Sequence, residues 1–402
     1  MMLILTLNCG SSSIKYQVIE PEKETTRAKG SVERIGMSGA ILSNQRDDGD
    51  NIKVTGEILD HIQALEYILG VLLSKNHGII SSLEEISAIG HRVVHGGETF
   101  NQSVLITQQV YNQIKDCIEL APLHNPANLK GIDACMRNLP GKPQVAVFDT
   151  AFHQTIPEKA FLYGLPYVIY KKHKLRRYGF HGTSHFYVST RLYEISGLTI
   201  RASKVITVHL GNGCSMAAVD NGHSIDTSMG FTPLEGLLMG TRSGDLDASA
   251  ILYIMGKEEL TLNSANTLLN KHSGLMGISG VSSDMREIIQ EMELGDKKAR
   301  AAFEVFCYRV KKYIGAYAAA LGGLDAVVFT GGIGENSTHV REHVLEDLSF
   351  MGIKLDKSLN LDGPKERRIS SEDSRVQVWV IPTNEELVIA RDTRRIMAEQ
   401  VV

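Results

Sequence analysis

The chain has 402 residues, too many for one ordinary core, so two domains are expected. Apolar residues make up 43% and charged residues 22%, with a formal net charge of -4; no basic excess argues for nucleic acid, and no Lys/Arg-rich helix argues for an anionic membrane surface. Five widely spaced cysteines with no C-x-x-C pair speak against a disulfide framework or structural zinc and for a reducing compartment. No apolar run approaches the roughly 18 residues of a membrane span. The opening MMLILTLNCGSSS lacks the basic flank of a signal peptide.

In chain order, Leu3 to Leu7 is an apolar run that stops at Asn8-Cys9-Gly10. Ile14 to Ile19 then alternates apolar with polar, which predicts a β-hairpin with a Gly/Ser tip. Residues 22–60 are more polar and read as surface strands and turns. Gln144 to Phe148 is an apolar strand running into Asp149. Lys204 to Val208 runs into His209-Leu210-Gly211-Asn212-Gly213, continues through Met216 to Val219, and turns at Asp220-Asn221-Gly222. Two strand–turn–strand units half a chain apart suggest a duplicated architecture. Phe303, Phe306, Val310, Ile314, Tyr317 and Leu321 recur at three- and four-residue spacing and predict a helix with one apolar face. The strand Asp325 to Phe329 follows it and enters Thr330-Gly331-Gly332-Ile333-Gly334-Glu335-Asn336. No low-complexity linker separates the halves.

Three glycine-rich turns therefore follow strands: Gly10-Ser11-Ser12-Ser13, Gly211-Asn212-Gly213 and Gly331-Gly332-Ile333-Gly334. Glycine lets backbone N–H groups approach a bulky anion, and serine hydroxyls add donors. Each turn alone reads equally as an ordinary tight turn; three in one chain favour phosphate, with no P-loop pattern present. Lys15 is either a phosphate contact or a solvated strand lysine. Arg92 and Arg242, flanked by glycines, are anion-clamp candidates, with a surface salt bridge as the alternative for each. His124 and His181 lie in Pro- and Gly-bounded loops that present the ring, although a lone histidine is more often a satisfied core residue. Zinc-ligand spacing is absent. Asp149 and Glu385 are acids beyond apolar strands, placed to hold magnesium or to cap helices.

With these residues assembled, the chain resembles the acetate and propionate kinase family. The resemblance rests on Asn8 to Lys15, His91 to Gly97, Pro122 to Pro126, Phe148 to His153, Arg177 to His185, His209 to Gly213 and Asp226 to Gly230. It continues through Pro233 to Gly236, Gly240 to Asp245, Gly331 to Asn336 and Pro382 to Glu386. It implies an α/β chain of two ribonuclease-H-like domains of the acetate kinase/actin/Hsp70/hexokinase fold, with an interdomain nucleotide cleft. The first domain would be 1–150 completed by a helix over 385–402; the second would be 151–384, carrying the nucleotide site and the contacts of a homodimer. Asn8 and Glu385 would hold magnesium, with manganese able to replace it. Lys15, Ser11, Ser13, His209, Leu210, Gly211, Asn212, Gly213, Asp284, Met285, Arg286, Gly331, Gly332, Ile333, Gly334 and Glu335 would bind ATP or ADP. Arg92, Val94, His124 and Pro233 would bind the carboxylate. Asp149, His181, Arg242 and Arg92 would be catalytic.

The resemblance implies a cytoplasmic enzyme that moves a phosphoryl group reversibly between ATP and acetate by direct in-line transfer, without nucleic-acid or membrane partners. Acetate is ionised at neutral pH, so positive charge rather than a general base is what the site must supply. Magnesium, Arg92, Arg242 and His181 are expected to supply it, leaving Asp149 to orient an arginine or a magnesium-bound water. A propionate or butyrate kinase is the near alternative, and a chaperone- or filament-type ATPase of the same fold the remote one.

Overall fold

The computed structural model describes residues 2–400. The chain forms two compact units: Met1–Ala151 with Asn384–Val402, and Phe152–Thr383. The division thus falls one residue from the expected 150/151 boundary, and Asn384 joins the first unit.

The first unit is built on an eight-stranded sheet. Its strands are β1 (Leu3–Cys9), β2 (Ser13–Glu20), β3 (Thr25–Glu33), β4 (Ala40–Arg46), β5 (Asn51–Gly56), β6 (Ile86–Val93), β7 (Val104–Leu105) and β8 (Gln144–Phe148), in the order 5-4-3-2-1-6-8-7. β1 and β2 pair antiparallel from Ile4↔Ile19 to Cys9↔Ile14, the hairpin that the alternation predicted. β6 lies parallel to β1 and β8 parallel to β6. Leu3, Ile4, Leu5 and Leu7 are at most 2% exposed, each worth about 1.5–3 kcal/mol of burial. Leu3, Leu5 and Leu7 pack with helix His61–Leu72 and with Ala134 and Cys135 of helix Asn125–Asn138.

The opposite face is covered by helix Glu385–Glu399, whose Ile389 and Ile396 pack on Val145 and Val147 of β8. Gly90 of β6 makes that approach possible: a Cβ there would lie 2.4 Å from Ile389 Cγ2 and 2.6 Å from Thr393 Oγ1. Asn384 caps the helix by accepting from Leu387 N at 3.1 Å. Sheet and cap together set where Glu385 begins.

The second unit carries β9 (Lys204–Leu210), β10 (Cys214–Asp220), β11 (His223–Thr227), β12 (Ala326–Thr330), β13 (Arg367–Arg368) and β14 (Gln377–Val380), in the order 11-10-9-12-14-13. β9–β10–β11 is an antiparallel meander, and β12 and β14 continue parallel from β9. Strands 3-2-1-6-8 of the first sheet and 11-10-9-12-14 of the second therefore share one order and one set of directions, which is the duplication suggested by the two hairpins. The expected helix runs Lys297–Leu321; all six residues of its predicted apolar face are buried, Asp296 caps it, and Gly322 ends it at φ +66. The five cysteines are free and buried.

Gly90→Ala must push helix Glu385–Glu399 off the sheet or distort β6. It should cost roughly 1–3 kcal/mol, the usual penalty of overpacking. The check is the urea midpoint against wild type; an unchanged midpoint would mean the helix is not seated on the sheet in this way.

Candidate active site

In the first unit the polar cluster grows from two strand ends and one helix start. β6 delivers Arg92, β8 delivers Asp149 directly beyond Phe148, and the helix over the sheet begins at Glu385. Arg92 Nε donates to Asp149 Oδ1 at 2.9 Å and Oδ2 at 3.1 Å, and Nη2 donates to Oδ2 at 2.5 Å. Burial works against the Arg92 charge, but Asp149, helped by Glu385 and Glu386, outweighs it and holds the guanidinium above its usual value. The fork expected to clamp an anion is thus spent on Asp149 along its Nε–Nη2 edge, and Nη1 is the nitrogen left for a ligand. Asp149 is 1% exposed and accepts from Arg92 through both of its oxygens.

Glu385 stands beside this pair with Glu386 and Lys15. Burial raises its carboxyl above the ordinary carboxylate range; Arg92 opposes that, while Asp149 and Glu386 add to it. Its Oε1 is buried and has no hydrogen-bond partner among the described residues. An orphaned carboxylate oxygen among two cations and two further carboxylates suits a hard divalent cation, which commonly takes one or two carboxylates and completes its shell with water and phosphate. Asn8, at the end of β1, pairs through its backbone with Lys15. Among the described residues no three His, Cys, Asp or Glu side chains form a closed cage.

The remaining first-unit candidates sit around these. Val94 is buried, and its N–H donates to Asn128 Oδ1 at 3.0 Å. His124 occupies the N-cap position of helix Asn125–Asn138. Lys15 lines a groove with Glu386, Lys29 and Lys53. Ser13 opens β2, and Ser11 lines a separate hollow with Asp60, His61 and Lys130.

The second unit holds the other set. His181 has φ +55, a left-handed backbone that only a few per cent of non-glycine residues adopt, at the N-cap of helix Gly182–Ser196. Its ring stacks on His209 with centroids 4.3 Å apart. Ser215 Oγ lies 2.9 Å from its Nδ1. A Cβ on Gly213 would sit 3.5 Å from His181 Nε2 and 3.6 Å from Arg242 Nη1, so glycine keeps this corner open. Arg242 Nη1 donates to the Pro233 carbonyl at 3.0 Å. Burial lowers its pKa, and among the described residues it has no carboxylate partner.

A cavity of about 640 Å³ in the same unit is lined by Gly211, Asn212, Asp284, Met285, Arg286, Gly332 and Ile333, together with Ser283, Ile289 and Asn336–His339. Asp284 pairs with Arg286, which is largely exposed. Leu210 is buried in β9 and offers only backbone. Gly331, Gly334 and Glu335 stand behind the lining, where Glu335 Oε1 accepts from Gly331 N at 2.9 Å and Thr383 N at 3.3 Å.

Several supporting residues lack a legible motif. Asn128 Nδ2 reaches Cys9 O at 2.9 Å, and Asn125 accepts from His95 N at 3.1 Å, tying β1 and the segment after β6 to one helix. Arg341, fully buried, donates to the Gly334 and Glu335 carbonyls at 2.8 and 2.9 Å. Arg177 donates to the Thr227, Ser228 and Met229 carbonyls and pairs with Glu235, fixing the loop that carries Pro233. The i, i+3 asparagines on one helix face were the one signal available beforehand.

The model of the acetokinase family matches residues 3–391. The acetate kinase of Halothermothrix orenii is 54% identical over 98% of this chain and 100% of its own, and that of Symbiobacterium thermophilum 56% over 98% and 99%. Among solved structures, Porphyromonas gingivalis acetate kinase superposes with a TM-score of 0.95 at 50% identity, covering 99% of this chain and 100% of its own. A Francisella tularensis propionate kinase superposes with a TM-score of 0.92 at 44%, covering 98% and 100%.

The Arg92–Asp149 pair yields a stability test. Arg92→Met alone strands a carboxylate that has no water, and should cost roughly 3–5 kcal/mol. Asp149→Leu alone should cost somewhat less, because 21% of the Arg92 side chain meets solvent. The double variant should be more stable than either single one. Additive losses in denaturant melts would show that the pair is not coupled.

Proposed function

Because this chain belongs to the acetokinase family, we propose that it phosphorylates acetate reversibly by direct in-line transfer from ATP, using the two clusters described above. It is a phosphotransferase with a carboxyl group as acceptor and ATP or ADP as co-substrate. The observation that carries the assignment of chemistry to residues is Arg242. A half-buried guanidinium with no carboxylate partner among the described residues, beside an imidazole Nε2 and an open glycine corner, is in electrostatic want of an anion.

The acceptor is already a nucleophile, so no residue needs to take a proton from it. Arg92 Nη1 meets its carboxylate while Asp149 holds the other edge of the guanidinium in place. Val94 faces the methyl group, and His124 completes the acceptor contacts in the first unit. Arg242 and His181 meet the transferring phosphoryl group, where charge spreads over the equatorial oxygens. Backbone N–H groups of Gly211–Gly213, Gly332 and Ile333 serve the nucleotide phosphates, with His209 as a further donor; Asp284, Met285 and Arg286 contact the remainder of the nucleotide. Asn8 and Glu385 would hold magnesium, which when bound offsets the negative charge of ATP.

The protein works as a homodimer in the cytoplasm. Helix Ala248–Lys257, ASAILYIMGK, buries none of its residues and leaves Leu252 70% and Tyr253 65% exposed. Helices Glu158–Phe161 and Tyr167–His173 also bury none. A second copy would cover such apolar surface. Free buried thiols suit a reducing compartment. Among the described residues no helix is long and apolar enough to cross a membrane.

Trapping the acyl phosphate with hydroxylamine across C2 to C4 acids tests the reaction. Acetate should give the highest kcat/KM, with propionate about tenfold or more lower, the scale of discrimination over one methylene. Val94→Ala should narrow that ratio by improving propionate. A wild-type preference for propionate, or a ratio that Val94→Ala does not move, favours the propionate kinase reading.

Glu385→Ala tests the metal. It should raise the magnesium concentration needed for half-maximal rate about tenfold or more, at least what losing a partner of a metal ligand costs, without unfolding the protein. Unaltered turnover at low magnesium would remove Glu385 from that role.

A further inference from the structure

Behind His181 lies a file of buried polar groups that the reaction as described does not use. Thr207 Oγ1, in the middle of β9, lies 2.7 Å from His185 Nδ1. His185 Nε2 lies 2.7 Å from Ser215 Oγ, and Ser215 Oγ lies 2.9 Å from His181 Nδ1. Thr207, His185 and Ser215 are fully buried, and among the described residues these contacts are the only side-chain hydrogen bonds that the three make.

The protons of this file can be counted. Thr207 has one hydroxyl proton to give and one neighbour to receive it, so it donates to His185 Nδ1. His185 is neutral: burial drives its pKa well below the ordinary value, and His153 and His209 push it the same way. With Nδ1 accepting, its single proton is on Nε2 and points at Ser215 Oγ. Ser215 then gives its own proton to the one partner left, His181 Nδ1. Reversing the file would strand the Thr207 proton in a buried site without an acceptor. The same count applies to the stacked ring. Ser184 Oγ, also fully buried, has His209 Nδ1 as its one side-chain partner among the described residues, at 2.8 Å.

From this geometry we infer that Thr207, His185 and Ser215 form a one-way relay that locks His181 as a neutral imidazole with its proton on Nε2, and that Ser184 locks His209 likewise. These are positioning residues. They present two Nε2–H donors at one glycine turn: Cβ atoms on Gly213 and Gly211 would lie 3.5 Å from His181 Nε2 and 3.7 Å from His209 Nε2. An imidazolium at His181 would need Ser215 to accept from both rings, leaving the serine proton without a partner, and would face Arg242 across Gly213. Arg242 therefore carries the positive charge at this corner and His181 a neutral, directed hydrogen bond, which differs from the expectation that both supply charge. The inference rests on the phosphoryl-transfer reading of the site, but the tautomer itself does not.

Two measurements on the full-length protein test it. In ring-¹⁵N histidine spectra, with His181 assigned by loss of its signals in His181→Asn, wild type should show the Nε2–H tautomer. Thr207→Val, nearly isosteric, should move His181 toward Nδ1–H, and Thr207→Ser, which keeps the hydroxyl, should restore the wild-type pattern. In acetyl phosphate formation, Ser215→Ala should lower kcat about 10- to 100-fold, the range seen when the hydrogen-bond partner that orients a functional histidine is removed, with little change in either KM. In a His181→Ala background the same substitution should cost less than about twofold, because linked residues do not add. An Nδ1–H tautomer in wild type, or an equal loss in both backgrounds, overturns the relay. A wild type that forms no acyl phosphate overturns the functional reading alone, since the spectra still decide the tautomer.

Discussion

A charge removed from water has to be compensated, and the polar parts of both units are arranged around that constraint. In the first unit compensation is internal. Asp149, at the end of one parallel strand, takes up the fork of Arg92 from the next, and one guanidinium nitrogen is left over. In the second unit it is left open. Arg177 and Arg341 spend their donors on carbonyls and, for Arg177, on Glu235, whereas Arg242 has one carbonyl and no carboxylate among the described residues. Of these three arginines, Arg177 and Arg341 thus fix loops, and Arg242, half-buried, is left without a carboxylate among the described residues. Glu385 is the counterpart in the first unit, a buried carboxylate oxygen without a hydrogen-bond partner among the described residues.

The repeated sheet order explains why such groups arise where they do. In each unit an antiparallel meander is followed by parallel strands, and the ends of parallel strands emerge side by side. β6 and β8 release Arg92 and Asp149 at adjacent positions; β9 and β12 release His209 and the Gly331 turn. Backbone pairing brings residues more than fifty positions apart to hydrogen-bonding distance before any side chain contributes. The helices then adjust the fit, as Gly90 does by letting the last helix settle on the first sheet. Asn125 and Asn128 do so by binding a strand end and a loop from one helix face.

Much of this was legible in the chain. Hairpins, strand ends, the long helix and the three glycine turns follow from period, composition and turn residues, which are local. The residue types of the site were equally visible, because a strand ending in Asp149, or an Arg92 set between histidine and glycine, carries its chemistry in a short window. What a short window cannot hold is partnership. Nothing local says that the fork of Arg92 is occupied, that Glu335 folds back onto Gly331, or that Ser11 and Lys15 line different hollows.

The deepest layer was legible least. Ser215 and Thr207 stand in apolar strands where a hydroxyl looks incidental, and His185 reads as one more histidine of a motif. Sequence by itself determined the element types, the duplicated plan and the set of chemically competent residues, since these depend on periodicity and on side-chain identity. Tertiary structure alone decided which charges are paired, which oxygen is orphaned and which imidazole nitrogen is left to carry a proton. Each of those depends on a hydrogen-bond partner contributed by a distant strand, and on water being absent between them.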